Sequence, residues 1–475
     1  MTSSRRRFPQ VRTMHTTEEL RNYLAEQGID LPLDDNVVPG PTGPLAEEID
    51  IGGLHIANRF AILPMEGWDG SASGFPTDPV IRRWQRFGAS GAGLMWGEAT
   101  AVVEDGRANP NQLVINPETV ESIASLRLAA TAERANGFEG PDLVVGMQLT
   151  HSGRWSRPHG EPIPRIAQRI PALDARVPVI DTSVMSDDEL DDLALRYIEA
   201  GELAADAGFD FVDIKHCHGY LLHEILTARS RPGRFGGTFE GRTRFLRLVA
   251  EELRRRRPEL KVAVRLSAYD PGPYTADEDG IGRPETGGFV PFGPDDGGNP
   301  FGETHRFLRL CAELGVGLVS ITIGSPYYNP HAQRPAYHPA LDGYLPPREP
   351  LAEVARHLTT TAALAKEHPD LVLVGSGYSY LQEFLANAGQ YQIRTGGVGM
   401  VGVGRLALSY PGYPADILAG RALNPRLICR TFSDCTTAPR IGQPSGCYPL
   451  DEHYKKSAVR VEIAAAKKRK RAAGE

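Results

Sequence analysis

The 475-residue sequence has few cysteines, no long hydrophobic run and no strong excess of charge of one sign. Five cysteines in a chain of this length do not make a disulfide-bonded scaffold. No apolar stretch approaches the roughly 20 residues that span a bilayer, so we expect no membrane segment. The formal net charge of -7 gives no support to nucleic acid as a partner. No internal repeat of solenoid length is evident.

The N-terminus also lacks the pattern of an export signal. Arg5, Arg6 and Arg7 are followed by Phe8-Pro9-Gln10 and not by an apolar stretch. We therefore expect a cytoplasmic protein.

What the sequence does contain is an alternation of short apolar runs with longer segments of helical periodicity. Eight runs have strand length: Phe60–Met65, Gly93–Gly97, Leu143–Leu149, Phe209–Ile214, Lys261–Leu266, Leu318–Ile323, Leu371–Gly375 and Val398–Val403. The helical segments between them include Pro117–Asn136, Ser186–Ala207, Phe239–Arg257, Gly302–Leu314 and Leu351–His368. Near-continuous hydrophobicity is typical of parallel strands that are buried on both faces. Eight strand–helix units predict an α/β fold, a (β/α)8 TIM barrel, with a doubly wound open sheet as the alternative.

The two ends of the chain lie outside this alternation. We divide the sequence into an N-terminal extension (1–44), the barrel (45–425) and a C-terminal arm (426–475). A short helix is expected over Thr17–Gln27, and the basic run Lys467–Arg471 is interpreted as a solvated tail. Residues 270–300 contain eight glycines, six prolines and seven acidic residues, and we expect this long loop to form a lid or rim over the pocket.

Polar residues are concentrated where the predicted strands end, which is the face that barrel enzymes use for chemistry. The most specific stretch is His218–Glu224, followed by Gly236–Phe245, and a third is Gln148–Arg154. Together these motifs resemble those of the old yellow enzyme family of flavin oxidoreductases. The resemblance extends from about Ile51 to about Leu423.

The resemblance implies an FMN-binding barrel and a role for each matching position. The residues around the flavin ring would be Pro64, Met65, Glu66, Ala99, Gln148 and Arg265. Of these, Gln148 would hydrogen-bond the pyrimidine edge, and Arg265 would lie near N1 and O2, where negative charge develops on reduction. Gly375, Ser376, Gly377, Gly404 and Arg405 would cradle the phosphate. Tyr220 corresponds to the family's proton donor, whereas His151 and His223 are interpreted as structural.

Two positions depart from the family pattern. Glu66 stands where Thr or Cys is common, and the fourth strand offers Lys215 and His218 in place of two His or a His and an Asn. The lysine keeps a hydrogen-bond donor but changes its charge and reach. We expect Lys215 to remain charged and to bind an anionic or strongly polarised oxygen. Glu66 would hold Lys215 in place or meet a polar substrate.

The cysteines near the C-terminus match only part of a cluster motif. A subgroup that resembles 2,4-dienoyl-CoA reductase and trimethylamine dehydrogenase carries four cysteines for a [4Fe–4S] cluster. Cys435 and Cys447 have the spacing of its last two ligands, but Thr431 replaces one ligand and Cys429 is out of register. Three thiolates are one short of the usual set, so the sequence favours free cysteines over a cluster and predicts no metal site.

The function implied is an oxidoreductase in which NAD(P)H reduces FMN and the flavin reduces an activated C=C bond of an α,β-unsaturated carbonyl-type substrate. Tyr220 would protonate the substrate, while Lys215 and His218 would polarise its carbonyl group. The alternatives are an amine or ether dehydrogenase that resembles trimethylamine dehydrogenase, a flavin-free lyase with a Schiff base on Lys215, and a non-catalytic flavin-binding protein. The expected partner is a small molecule, and a homo-oligomer is left open.

Overall fold

The computed structural model describes residues 8–473, so Arg5, Arg6 and Arg7 lie outside the described residues. In chain order the strands are β1 (Ile49–Ile51), β2 (Leu54–Ile56), β3 (Phe60–Ile62), β4 (Leu94–Ala101), β5 (Val144–Thr150), β6 (Phe211–Ile214), β7 (Lys261–Tyr269), β8 (Tyr274–Ala276), β9 (Gly282–Pro284), β10 (Leu318–Ile323), β11 (Val372–Gly375) and β12 (Met400–Val403). Strands β3 to β7 and β10 to β12 are parallel and form a closed barrel. The eight predicted barrel strands are therefore confirmed, and the open-sheet alternative is wrong.

The helices surround the barrel and continue beyond it into the C-terminal residues. They are α1 (Thr17–Glu26), α2 (Asp78–Gly88), α3 (Val120–Gly137), α4 (Pro171–Asp174), α5 (Asp187–Asp206), α6 (Leu221–Leu226), α7 (Phe239–Arg256), α8 (Gly302–Glu313), α9 (Pro330–Gln333), α10 (Pro350–Glu367), α11 (Leu385–Arg394), α12 (Leu406–Ser409), α13 (Tyr413–Leu418), α14 (Asp434–Arg440), α15 (Glu452–Lys455) and α16 (Val459–Ala473). Helix α5 begins with a capping box, in which Ser186 and Glu189 each bond the other's backbone N–H.

The barrel interior is filled at its amino end. Trp96 and Phe211 pack edge to face with their ring centroids 5.0 Å apart, within a cluster of interior side chains. The antiparallel β1–β2 hairpin adds Ile51 and Ile56 to the same cluster. A Cβ on Gly93, just before β4, would lie 2.8 Å from Ile56, which places the hairpin under the amino ends of the strands. Space for a ligand therefore remains only toward the carboxyl ends.

Two further segments bear on the sequence expectations. Residues 270–300 contain the small β8–β9 hairpin, and Phe289 packs on Tyr328 with ring centroids 5.8 Å apart. The segment does not line the cavity described below, so the expected lid or rim stays a prediction. The basic run at the C-terminus belongs to α16, where Lys467 donates to the carbonyl of Phe432 at 2.7 Å and pairs with Asp434. The proposed division at residues 44 and 425 stays a prediction. Among residues 8–473, no helix is long and apolar enough to cross a bilayer.

Candidate active site

A cavity of about 610 Å³ lies at the carboxyl ends of the barrel strands. Its wall contains all but one of the site residues predicted from the sequence: Pro64, Met65, Glu66, Ala99, Gln148, Lys215, His218, Tyr220, Arg265, Ser376, Gly377, Gly404 and Arg405. The exception is Gly375, which ends β11 and does not line the cavity. The closed barrel brings these residues together because the ends of parallel strands meet on one face.

A buried hydrogen-bond network around Asp213 fixes the floor of the cavity. Asp213 on β6 accepts from Gln148 Nε2 at 2.5 Å, from Trp96 Nε1 at 2.9 Å and from the backbone N–H of Arg265 at 2.7 Å. Strand register places Gln148 directly beside Asp213. Burial raises the pKa of Asp213 to about 6 despite these donors. This hydrogen bond fixes the orientation of the Gln148 amide, whose side-chain carbonyl oxygen has no hydrogen-bond partner within the described residues and can accept from a ligand.

Arg265 is a buried cation without a counter-charge in direct contact. Its side chain is on β7, and the residue is only 6% exposed. Within the described residues its guanidinium makes neither an ion pair nor a hydrogen bond, and Nε is fully buried without a partner. Burial lowers its pKa, although the nearby Cys217 and Asp213 oppose the shift. An unpaired buried charge is costly, so this arrangement calls for an anionic or strongly polar ligand group.

A second set of orphaned polar atoms lies at the ends of β11 and β12. The Ser376 hydroxyl and Nη1 of Arg405 are both buried without a partner in the part of the chain that the structure describes. Arg405 Nη2 donates to the carbonyl of Pro335 at 2.5 Å, which fixes the guanidinium. Gly377 has a φ of 94°, a conformation that favours glycine. Loops after the last two barrel strands commonly bind phosphate groups.

These features fit an FMN molecule. The cavity volume is in the ordinary range for cofactor sites. Ser376 and Arg405 offer buried donors for a phosphate, and Gln148 and Arg265 offer an acceptor and a cation for the polar edge of a flavin ring. The fit rests on polar atoms that have no protein partner.

Lys215 and His218 line the wall beside the floor. Lys215 Nζ lies 3.9 Å from the centre of the Tyr220 ring. His218 has a φ of 67°, and its backbone is held by hydrogen bonds with Ser267 (2.9 Å) and Ser325 (2.7 Å). Burial lowers the pKa of both side chains, and Arg265 and Lys215 lower that of His218 further. The imidazole is therefore neutral at ordinary pH.

Tyr327 is a wall residue that sequence reasoning missed. Its hydroxyl oxygen lies 3.0 Å from that of Tyr220, and its ring stacks on Trp155 with centroids 4.3 Å apart. Burial raises the pKa of Tyr220 well above its ordinary value, and Tyr327 and Glu66 add to the shift. Tyr327 follows β10 in a segment without a recognisable motif. Tyr327 lies only four residues after the end of β10, so its place just past a predicted strand was the signal that could have found it.

The sequence predicts that Glu66 holds Lys215 in place, but the structure shows no direct contact between the two side chains. Glu66 forms no ion pair with Lys215 and accepts instead from the amides of Asn109 and Gln112. Burial raises the pKa of Glu66 to about 7, and the positive charge of Lys215 opposes this shift. The two groups thus interact through space without direct contact.

Several motif residues have structural roles. Arg154 pairs with Glu224 at 2.8 Å and also with Asp174, which fixes the loop after β5 against α6. Arg242 makes a bidentate pair with Glu303 at 2.6 and 2.8 Å, which joins α7 to α8. His151 and His223 each accept a backbone N–H at 3.0 Å and do not line the cavity.

The cysteines are all free. Cys435 lines the cavity, whereas Cys217, Cys311 and Cys447 are buried. Across residues 8–473 no group of three or more His, Cys, Asp or Glu side chains could hold a metal ion.

Comparison with known proteins gives consistent results. The model of the NADH:flavin oxidoreductase / NADH oxidase family matches residues 44–282, about half of the chain. The NADPH dehydrogenase of Bacillus subtilis is 26% identical over 341 residues, which cover 69% of this chain and 88% of that protein. The NADPH dehydrogenase of Clostridium acetobutylicum is 28% identical over 228 residues, which cover 47% of this chain and 64% of that protein. The chain thus spans somewhat less than two thirds of several curated relatives that it matches.

Solved structures share the fold at low sequence identity. An old yellow enzyme homologue from Zymomonas mobilis has a TM-score of 0.57 at 21% identity, over 80% of this chain and 94% of that chain. Histamine dehydrogenase from Rhizobium sp. 4-9 has a TM-score of 0.61 at 18% identity, over 85% of this chain and 52% of that chain.

Proposed function

This chain belongs to the NADH:flavin oxidoreductase / NADH oxidase family, and from that premise we propose that it is an FMN-dependent NAD(P)H oxidoreductase. Its proposed oxidising substrate is a small molecule with an activated C=C bond, of the α,β-unsaturated carbonyl type. When bound, FMN would accept a hydride from NAD(P)H and deliver one to the substrate.

The observation that carries this proposal is the unpaired, buried Arg265 on the cavity floor. A fixed cation there would stabilise the negative charge of a reduced flavin without any rearrangement at the moment of reaction. Gln148, oriented by Asp213, would bind the ring edge through its free carbonyl oxygen. Ser376 and Arg405 would hold the phosphate through the buried donors that lack protein partners.

The side chains of the opposite wall would bind the substrate and donate a proton to it. Tyr220 would donate a proton to the α-carbon, since its raised pKa keeps the hydroxyl protonated. His218, which is neutral, and Lys215 would donate hydrogen bonds to the carbonyl oxygen and so favour attack at the β-carbon.

The charge of the cavity argues against the amine dehydrogenase alternative. Lys215, Arg265, Arg334, Arg405 and Arg440 all line the cavity, whereas its carboxylates are Glu66 and Asp342. Lys215 itself lies on the face of Tyr220, where a cationic amine would otherwise find an aromatic partner. A protonated amine would therefore be repelled by this wall.

The lyase and binder alternatives are separated from the proposal by direct measurement. The purified protein should carry about one FMN per chain and no stoichiometric iron. Under anaerobic conditions NADPH or NADH should bleach the flavin, and an enone from a substrate panel should restore its colour. A colourless protein that borohydride links to a carbonyl compound through Lys215 would support the lyase. A coloured protein that neither nicotinamide reduces would support the non-catalytic binder.

A further inference from the structure

Two arginines at one side of the cavity have no part in the roles given above. Arg334 follows α9, and Arg440 ends α14 in the C-terminal residues; both line the cavity. Thr436 holds the two together. Its hydroxyl accepts from Arg334 Nη1 at 3.0 Å, and its carbonyl accepts from Arg440 Nη1 at 3.2 Å. One residue of α14 therefore fixes two guanidinium groups on the same wall.

Neighbouring carboxylates only partly neutralise these two arginines. Within residues 8–473 Arg334 makes no ion pair, and Arg440 pairs only with Asp342, at 2.9 Å. The Asp342 side chain is 55% exposed, so solvent weakens its hold. Burial, together with the positive charges of Arg440 and Arg405, lowers the pKa of Arg334 to about 9, although Asp342 opposes the shift. An anion bound between the two arginines would relieve this repulsion.

A bound flavin would not neutralise Arg334 and Arg440. Its phosphate is assigned to Ser376 and Arg405, and its ring edge to Arg265. A ligand that enters the same cavity would bring its own anionic groups past Arg334 and Arg440. Guanidinium groups bind phosphate oxygens through paired hydrogen bonds, and two of them match the double negative charge of a phosphate monoester better than a carboxylate.

We propose that Arg334 and Arg440 form a second anion site, which binds the phosphate on the 2′ or 3′ hydroxyl of a nucleotide ligand's ribose. The inference rests on the proposed function, because that function requires a nicotinamide and a substrate in this cavity. Two ligands carry such a group. One is NADPH, with a 2′-phosphate, and the other is a coenzyme A thioester, with a 3′-phosphate.

Calorimetry on the FMN-loaded protein tests the site without turnover. The probes are adenosine 2′,5′-bisphosphate for the first source and adenosine 3′,5′-bisphosphate for the second. Adenosine 5′-diphosphate, which has no phosphate on the 2′ or 3′ hydroxyl of its ribose, is the control. We expect one bisphosphate to bind about tenfold or more tightly than the control, as for hydrogen bonds to charged groups. The isomer that binds more tightly shows whether the site fits NADPH or a coenzyme A thioester.

Variants connect that preference to the two arginines. Arg440→Gln and Arg334→Gln should each lower the affinity for the preferred bisphosphate to near that for adenosine 5′-diphosphate. Arg440→Lys should have an intermediate affinity, because it keeps the charge. Asp342→Asn should instead tighten binding, since it removes the competing carboxylate. Arg421→Gln, at an exposed ion pair with Asp416, is the matched control and should change nothing. Flavin content of each variant reports whether it has folded.

The outcomes are distinct. Equal binding of all three probes by the unaltered protein would overturn the inference, and so would an unchanged preference in a folded Arg440→Gln protein. Failure of the proposed function shows itself elsewhere. A protein with a clear bisphosphate preference whose flavin is neither reduced by a nicotinamide nor reoxidised by an enone would keep this site and lose the proposed reaction.

Discussion

The hydroxyl oxygens of Tyr220 and Tyr327 lie 3.0 Å apart at the cavity wall. Lys215 Nζ lies over the Tyr220 ring at 3.9 Å from its centre. A tyrosine that donates its proton becomes an anion, and Lys215 can stabilise that anion by its charge. Tyr327 raises the pKa of Tyr220 and so favours its protonated form, but either hydroxyl can donate in this pair, so Tyr327 can turn to donate once the proton has left Tyr220. This arrangement supports Tyr220 as the proton donor even though burial raises its pKa.

The first prediction separates the two halves of the reaction. Tyr220→Phe should leave flavin reduction by NAD(P)H nearly normal and slow reoxidation by an enone about 10²-fold or more, as for loss of a general acid. Stopped-flow absorbance measures both steps. Tyr197→Phe, which alters a fully buried tyrosine outside the cavity, is the control. Equal losses in both steps would mean that Tyr220 has only a structural role.

The second prediction concerns Tyr327. Tyr327→Phe keeps the ring that stacks on Trp155 but removes the hydrogen bond to Tyr220. Loss of a hydrogen bond to a developing anion should slow enone reoxidation about tenfold, less than loss of the donor itself. The pH at which reoxidation declines on the alkaline side should also fall, because Tyr327 raises the pKa of Tyr220 and its loss lowers that pKa. An unaltered rate and pH profile would exclude Tyr327 from proton transfer.

The third prediction concerns the buried cation on the floor. Arg265→Gln should weaken FMN binding by about tenfold or more, because it removes the charge opposite the flavin's polar edge. Fluorescence titration of the apoprotein with FMN measures this affinity. Arg134→Gln removes another buried arginine, one that does not line the cavity, and should leave FMN affinity unchanged. Similar losses in both variants would point to general destabilisation.

The fold was largely predictable because buried parallel strands are continuous hydrophobic runs. The run Leu318–Ile323 coincides with β10, whereas Phe60–Met65 extends three residues beyond β3 into the cavity wall. Residues at strand ends could be found because the closed barrel places every strand end on one face. The roles of the individual site residues came from the resemblance to the old yellow enzyme family, and the closed barrel explains why thirteen of these residues line one cavity.

The remaining wall could not be predicted in this way. Tyr327 lies close enough to the end of β10 to fall under the same rule, but Arg334 follows α9, and Thr436 and Arg440 come from α14, about a hundred residues later. No periodicity links these segments, since their approach depends on tertiary packing. The glycine-rich segment over 270–300 was the more conspicuous candidate for a rim, but its Phe289 packs on Tyr328, beside the wall residue Tyr327, and the segment itself does not line the cavity.

The last prediction concerns the ionisation of Glu66. Burial raises its pKa to about 7 in the folded protein, whereas an unfolded chain ionises its glutamates near pH 4.3. The folded state therefore holds this proton more tightly, and the stability gained from it is lost as pH rises through about 7. Glu66→Gln keeps the side chain neutral. It should raise the free energy of unfolding at pH 8 by about 1–3 kcal/mol and have little effect at pH 4.

Lys215 provides the decisive comparison, because its positive charge opposes the raised pKa of Glu66. In a Lys215→Met background the carboxylate loses that support, so the gain from Glu66→Gln at pH 8 should be larger than in the unaltered protein. Urea unfolding of the four proteins, with FMN held in excess, measures this cycle at each pH. Glu349→Gln, at a buried carboxyl outside the cavity, serves as the control and should be indifferent to Lys215. Strictly additive effects of Glu66→Gln and Lys215→Met would show that the two charges do not interact.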